Sequence, residues 1–577
     1  MAPTVHFLKL RGNLSLAGDV SLAERELARH YQSLEPVEDV AAAARRCGMP
    51  ESAIVTHSRP GAFPGFLGIG PRGSVETLCR SLACFQEVWV PPSEFQGAEQ
   101  APWWQSVSDG AVCALPLLAS GEMLGHWPAA GAGPMGVKSL AGMLSSGASG
   151  LRRAHLRPSA APHVHGLHKY KARFFPRLAR VLLGSLPANS RVLDPFIGSG
   201  TTCVEASWMG LDSVGVDIDP LSCAISQAKL ELMGLSPEAL EEGIEEMGEP
   251  GGGAFHMPEI MARKFHRRRA QDEQVAYEEE IAGWMNAARR VRNPRVQRVL
   301  EIVISDAIAR KFNVRMMGTG VPRFALEIRR SKLDSLVRAG LERAVEAARI
   351  VGSLRDAYGG SLGSAEVRMG NATDLPFADS SFDAILTSPP YLPASSGREN
   401  YLTGKCLSMM ALGLLDEAGL ARAEKASVGS MKASARDHHD PLPDGVYELV
   451  DWLAADELRA IKAEPTLAYY QVLRDALRES LRVLRPGGTG IWVIGRESVF
   501  YTFKTREVRY RVACDALFQE LAEKAGFAVV DRVDVELDKR NRNARPRSRD
   551  PYFETALVLE KPGLASGAGP STGRATS

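Results

Sequence analysis

Three short stretches combine residue types and spacings that bear on chemistry. The first is Thr387-Ser388-Pro389-Pro390-Tyr391, which follows the apolar run Phe382-Asp383-Ala384-Ile385-Leu386. That run reads as a buried strand, and two successive prolines cannot continue its ladder. A rigid corner without backbone donors is therefore predicted at the strand's C-terminal end, with an aromatic ring behind it. A small hydroxyl, two exposed carbonyls and a flat ring suit the capture of a planar group bearing an exocyclic amine. The second stretch runs from Arg191 to Thr202. It reads as a short apolar strand, the acidic turn at Asp194, Gly198 and Gly200 one residue apart, and a helix from Thr201 to Met209. Glycines there let the chain turn sharply and let a ligand lie against bare backbone. Cys203 stands where a dinucleotide pattern would place its third glycine, which disfavours a pyrophosphate ligand. In the third stretch a strand, Ser213 to Val216, ends in Asp217-Ile218-Asp219-Pro220. An acid at the tip of the second strand is placed to accept hydrogen bonds from ribose hydroxyls. The glycine turn and this acid together point to a nucleoside-containing cofactor.

The elements that must position these groups follow from the rest of the chain. Its 577 residues call for two to four domains. The hydrophobic fraction of 45% and charged fraction of 24% are those of a globular protein in water. A net charge of +1 provides no global attraction to nucleic acid, so any such binding must come from local patches. The eight cysteines form no CxxC pair, which argues against a zinc ribbon and for the reduced thiols of a cytoplasmic protein. No apolar run reaches membrane-spanning length, so no membrane association is expected.

Residues 1–160 read as a small N-terminal α+β region and connector. It opens with the strand-like Val5 to Leu10, then a helix from Leu22 to Tyr31 capped by Ser21 with Glu24 at the capping-box position. The segment His165 to Pro176 is dense in aromatics and bases. His165 and His168 have no Cys or acidic partner at ligand spacing, and no metal is expected there. Residues 236–360 read as a helical insert with basic clusters around Arg263 to Arg269, Arg289 to Arg292, Arg310 to Arg315 and Arg329 to Lys332. One or more of these is a candidate phosphate contact, although interleaved acids mark part of the insert as solvated surface. The sheet resumes at Ala365 to Met369. Leu392 to Pro465 has the breaks and mixed charge of a lid or target-contacting insertion, and residues 563–577 have a disordered composition.

Together these stretches resemble the class I S-adenosylmethionine-dependent methyltransferases that methylate amino groups of nucleic-acid bases. Asp194-Pro195-Phe196-Ile197-Gly198-Ser199-Gly200-Thr201 resembles that family's cofactor loop. Asp217 matches its ribose-binding acid and Ser388-Pro389-Pro390-Tyr391 its catalytic motif. His168 to Pro176, with Phe174, is similar to the segment that precedes the cofactor loop when the cofactor half comes first, and Arg485-Pro486-Gly487-Gly488 is similar to the turn before the fifth strand. The resemblance covers roughly residues 163–235 and 361–562. It implies an α/β, Rossmann-like sheet whose cofactor half (161–235) and catalytic half (361–562, with the 392–465 insertion) are separated by the helical insert. It further implies S-adenosyl-L-methionine as cofactor and a nucleic-acid substrate, DNA favoured over RNA. Such family members often belong to restriction-modification systems. Where the family carries an acid after the third strand to hold the adenine amine, this chain has Asn371, with Asp374 three residues on; either could take that part.

The resemblance implies a mechanism as well. The amine nitrogen of a base is a poor nucleophile because its lone pair is delocalised, and acceptors aimed at its protons favour the reactive form. The Pro389 carbonyl and Ser388 side chain are the expected acceptors, with Tyr391 stacking on a base flipped out of the duplex. Serine before the Pro-Pro pair is typical of cytosine-N4 enzymes, which makes N4 methylation of DNA cytosine the expected activity. Adenine-N6 methylation and guanine-N2 methylation of tRNA are the alternatives.

Overall fold

The computed structural model describes residues 4–10, 17–37, 40–47, 65–91, 104–106, 112–114, 116, 163–170, 174–265, 271–317, 323–358, 362–392, 404–428, 430, 433–435, 440–502, 505, 507–537 and 552–563. Two large sheets organise them. The N-terminal one is built from β1 (Val5–Leu10), α1 (Ala17–Ala28), β2 (Tyr31–Pro36), α2 (Val40–Arg46), β3 (Gly65–Pro71), α3 (Val75–Ser81), β4 (Phe85–Val90), β5 (Trp104–Ser106) and β6 (Val112–Ala114). Its strands are antiparallel in the order β2-β3-β1-β4-β6-β5. Helix α1 begins at Ala17, so Ser21 is an interior residue and not the expected cap. A Ser-x-x-Glu spacing also occurs as an ordinary i, i+3 pair on a helix, which is what Ser21 and Glu24 are.

The second sheet carries the site. In chain order the elements are α4 (Pro176–Leu183), β7 (Val192–Asp194), α5 (Thr201–Trp208), β8 (Ser213–Asp217) and α6 (Pro220–Leu232). The insert follows, with α7 (Pro237–Met247), α8 (Glu259–Phe265), α9 (Gln271–Ala288), α10 (Pro294–Lys311), β9 (Phe312–Met317), β10 (Arg323–Ile328) and α11 (Leu333–Tyr358). The chain then returns through β11 (Ala365–Met369), β12 (Phe382–Thr387), α12 (Cys406–Ala411), α13 (Glu417–Ala426), α14 (Asp444–Ala455) and α15 (Ala463–Val483). It closes with β13 (Leu484–Gly495), β14 (Glu497–Tyr501), β15 (Val508–Ala513), α16 (Cys514–Ala525), β16 (Ala528–Leu537) and β17 (Tyr552–Glu560). The strand order is β11-β8-β7-β12-β13-β17-β16. β11, β8, β7, β12 and β13 are parallel, while β17 enters antiparallel between β13 and β16.

Strand alternation divides the core between the two faces. Val192, Ala384, Leu386, Ile491 and Val493 bury against α5, α6 and the insert, whereas Leu193, Ile385, Trp492 and Ile494 bury against α14, α15 and α16. Each such fully buried side chain contributes roughly 1.5–3 kcal/mol relative to exposure. The insert is not helical throughout. Residues 312–317 and 323–328 form an antiparallel two-stranded ribbon that, among the described residues, joins no other sheet. The sequence reading missed this pair although Phe312-Asn313-Val314-Arg315-Met316 and Phe324-Ala325-Leu326-Glu327-Ile328 alternate, because both runs are short and lie between long helical stretches.

The N-terminal sheet is joined to the second through Arg180 of α4. Its Nε donates to Glu205 at 2.7 Å and its NH1 to the carbonyl of Arg80 at 2.8 Å. Burial pushes the Glu205 carboxyl up, but Arg180 and His165 outweigh it and hold Glu205 down at about 2.

Candidate active site

The order in which strands are added reverses at the β7–β12 junction, although both strands run the same way. From β7 the strands proceed outward through β8 and β11 in one direction, and from β12 through β13 in the other. A crevice opens at such a switch point beyond the carboxyl ends of the strands. The residues after β7 and after β12 are the glycine loop and the Pro-Pro-Tyr corner, so both sequence motifs flank that crevice.

The glycine loop is fastened on every side. Gly198 and Gly200 have φ of 51° and 78°, the left-handed region that side chains avoid. A Cβ on Gly200 would lie 2.8 Å from Ser226 Oγ, so close packing against α6 also excludes one. The loop's carbonyls are held from α6: Ser226 Oγ donates to Gly198 O at 3.2 Å, and the fully buried Lys229 donates to Ser199 O at 2.6 Å. Thr201 Oγ1 donates to the Phe174 carbonyl at 3.2 Å, tying the preceding segment to the start of α5.

Asp217, at the tip of β8, accepts from Gly198 N–H with Oδ2 and from Asp219 N–H with Oδ1, both at 2.9 Å. Each carboxylate oxygen retains a second lone pair for a ligand hydroxyl. Burial and the neighbouring charge of Asp219 push Asp217 up to about 6. Next to it lies a cluster that the sequence reading did not find. Lys405 pairs with Asp219 Oδ2, donates to Tyr170 OH at 3.2 Å and sits 4.5 Å from that ring's centroid. Tyr170 OH also bonds Ser222 Oγ at 2.9 Å, and a Cβ on Gly198 would lie 3.5 Å from the same hydroxyl. Lys405 lies 186 positions from Asp219, and no local pattern announces it. Its pKa is pushed well up, the attraction of Asp219 and Tyr170 overcoming burial. For the α6 contacts a signal exists: Ser222, Ser226 and Lys229 recur about one per turn along one face of that helix.

Asp194, expected at the cofactor, is only 3% exposed. Its Oδ1 accepts from Phe196 N–H at 3.1 Å and from Thr387 Oγ1 at 2.6 Å. Burial pushes it up to about 6 against the pull of these donors. In this position its carboxylate joins the glycine loop to the end of β12. Phe196 is half-buried and edge-on to Trp492, with centroids 6.1 Å apart.

At the corner, Ser388 is half-buried and Pro389 buried. Tyr469 OH donates to the Pro390 carbonyl at 2.9 Å. Among the described residues, no hydrogen bond reaches the Pro389 carbonyl. Tyr391 OH donates to Glu554 Oε1 at 2.6 Å, and burial pushes the Glu554 carboxyl up. A cleft lined by Tyr391, Tyr469, Tyr470, Ile494, Cys514 and Phe518 opens beside this ring, at the ends of β12 and β13. At the end of β11, Asn371 turns its side-chain oxygen to Thr373 N–H at 3.1 Å, and Asp374 is exposed. Neither histidine of the His165 to Pro176 segment is without a contact: His165 bonds Glu205 and His168 bonds Ser305. The basic stretch 539–549, the tail 564–577 and residues 393–403 lie outside the described residues.

The strand order, with its antiparallel seventh strand, and the glycine loop at its centre define a class I methyltransferase fold. Residues 151–228, which hold that loop and Asp217, match the family model of the DNA methylases of the N6/N4 type, and a class I methyltransferase fold takes S-adenosyl-L-methionine as its cofactor. Among similar curated proteins, the Type II methyltransferase M.MjaII of Methanocaldococcus jannaschii is 44% identical over 70 residues, 12% of this chain and 13% of that protein. The Type II methyltransferase M.MvaI of Kocuria varians is 23% identical over 370 residues, 58% of this chain and 77% of that protein. A tRNA (guanine(10)-N2)-dimethyltransferase of Methanothermobacter thermautotrophicus is 42% identical over 62 residues, 10% and 18% of the two chains. The strong identity is thus confined to a short stretch, about an eighth of the first relative's length. Among the described residues no helix is long and apolar enough to cross a membrane.

Proposed function

We propose that this protein transfers a methyl group from S-adenosylmethionine to an exocyclic amine of a DNA base, cytosine N4 being the first candidate. The observation that carries this reading is the buried Thr387–Asp194 hydrogen bond. It sets the Pro-Pro-Tyr corner beside the glycine loop, on the two strands that flank the switch point.

The residues present fit the cofactor. Gly198 and Gly200 leave bare backbone along the loop, and Asp217 has lone pairs for two ribose hydroxyls. Asn371 or Asp374, at the neighbouring strand end, would accept from the adenine amine. The bound cofactor supplies an activated methyl group, so the protein's chief task is to hold donor and acceptor in line. On the acceptor side, the Pro389 carbonyl and Ser388 hydroxyl would receive the amine protons and keep the nitrogen lone pair out of the ring. Tyr469 occupies the Pro390 carbonyl, so the corner offers one carbonyl and not two. Tyr391, held at its hydroxyl by Glu554, presents a fixed ring on which a flipped base can stack.

Ser388 supports cytosine over adenine by its resemblance to cytosine-N4 enzymes. A second reading, guanine-N2 methylation of tRNA, draws on the local similarity to the tRNA dimethyltransferase. One experiment separates them: incubation with labelled S-adenosylmethionine and either duplex DNA or tRNA, then digestion to nucleosides. N4-methylcytosine is the expected product. N6-methyladenine would shift the base, and N2-methylguanine in tRNA would overturn the DNA reading.

A further inference from the structure

The basic clusters of the insert separate into two kinds by their partners. Arg290 gives its guanidinium to the carbonyls of Met247 and Glu249, Arg292 pairs with Glu246, and Arg298 with Glu231. Arg338 bonds Asp334 at 3.0 Å and Glu249 at 2.9 Å. These arginines fasten insert helices to one another and to α6, and their charge is already compensated.

The far end of α10 is different. The buried Lys311 donates to the carbonyls of both Arg329 and Ser331 at 2.8 Å, and Arg329 N–H returns to the Lys311 carbonyl at 2.9 Å. The turn after β10 is thereby pinned from beneath. Arg329, Arg330 and Lys332 on that turn are exposed, and among the described residues none forms an ion pair. Lys169 lies beside them. Its backbone N–H donates to Asp306 at 2.7 Å, its Nζ reaches Asn313 at 3.2 Å, and after burial the charges of Arg329 and Arg310 hold its pKa down. The acids facing this group are few. Asp306 is buried and bonded to Arg310 at 2.5 Å with Arg343 3.5 Å away, and Glu327 accepts from Asn313 at 3.1 Å. The next residue after Lys169 is Tyr170, whose hydroxyl belongs to the cofactor cluster. The cationic patch therefore begins one residue from the candidate active site.

We infer that Lys169, Arg329, Arg330 and Lys332, at the base of the β9–β10 ribbon, form the surface that receives the phosphate backbone of duplex DNA. This rests on the DNA reading of the site proposed above. With a net charge of only +1, attraction to a polyanion must be local, and this patch begins next to Tyr170 of the cluster beside the glycine loop. A two-stranded antiparallel ribbon also matches the width of the major groove of B-form DNA, whereas the deep, narrow groove of A-form RNA excludes one.

The test uses the full chain and a fluorescent 30-base-pair duplex of arbitrary sequence, with affinity measured by anisotropy over a series of salt concentrations. The variant Arg329→Ala/Arg330→Ala/Lys332→Ala should bind roughly 10- to 100-fold more weakly. Its slope of log affinity against log salt should be shallower by about 2–3, since each phosphate contact accounts for about 0.9. Arg292→Ala, which removes a compensated charge, should change neither. Labelled S-adenosylmethionine should bind the triple variant as it binds wild type, which reports an intact fold. Lys169→Gln alone should lower the slope by about 1. If wild type binds the duplex and the triple variant matches it in affinity and slope, the patch is wrong while the DNA reading stands. If the triple variant loses binding to a tRNA transcript but not to the duplex, the assignment to DNA is overturned. A wild type that binds no duplex overturns this inference together with its parent reading.

Discussion

The Thr387 hydroxyl donates to Asp194 Oδ1 at 2.6 Å, across a sequence separation of 193 residues. Asp194 closes the cofactor half of the sheet and Thr387 opens the catalytic corner. A short bond in a water-free place therefore fixes the distance between the two halves of the site.

Removing that bond should damage turnover more than cofactor binding. Thr387→Val keeps the side-chain shape and costs about 1.5–3 kcal/mol, the value of a hydrogen bond to a charged buried group. Urea denaturation should show this loss, and methyl transfer should fall while S-adenosylmethionine affinity changes less than a few-fold. The carboxyl has its own pH signature. Burial raises Asp194 from 3.8 to about 6. Its stabilising share is thus fully present below pH 3.8 and lost as pH rises through 6. Asp194→Asn removes this dependence, so the variant should gain on wild type between pH 4 and 7, by up to roughly 3 kcal/mol. Melting temperatures of both proteins across that range decide it, and a gap that stays constant with pH would sink the assignment.

Lys405 and Asp219 join the insertion after the corner to the cofactor half. Replacing one member of a buried ion pair strands the other, at a cost of about 3–5 kcal/mol. Lys405→Met and Asp219→Asn should each lower the denaturation midpoint, while the double variant should lose about 1–3 kcal/mol less than the sum. Strict additivity would mean that the pair carries no coupling.

Tyr391 offers a ring and a hydroxyl that separate by mutation. Tyr391→Phe retains stacking and frees the Glu554 carboxyl, so single-turnover methyl transfer should drop only a few-fold. Tyr391→Ala loses a stack of about 1–3 kcal/mol, equivalent to roughly 5- to 150-fold in rate. Equal losses in the two variants would show that the hydroxyl tether, and not the ring, is what matters.

The parts readable from sequence share a physical cause. Gly198 and Gly200 are there because the backbone turns left-handed, and Asp217 because a strand tip presents an acid to the loop; both requirements are local and leave local patterns. The Pro389-Pro390 pair interrupts a strand for an equally local reason. Asp194 was visible as a residue but not in its part, because its partner Thr387 lies in another half of the chain. Lys405 left no mark, since a lysine that pairs across 186 positions looks like any other. The β9–β10 ribbon was hidden because its runs are short and lie between long helical stretches, and Ser21 was misplaced because the capping spacing is also a helical spacing.

The position of β17 bears on how the protein is made. This strand lies between β13 and β16, and among the described residues β16 pairs with no other strand. It also brings Glu554 to Tyr391. A nascent chain that stops before residue 552 has its glycine loop and Pro-Pro-Tyr corner already synthesised, yet one strand is left without a sheet and the tyrosine without its tether. The sheet and the tyrosine tether are therefore complete only once residues 552–560 are made, so termination before residue 552 yields an unfinished sheet.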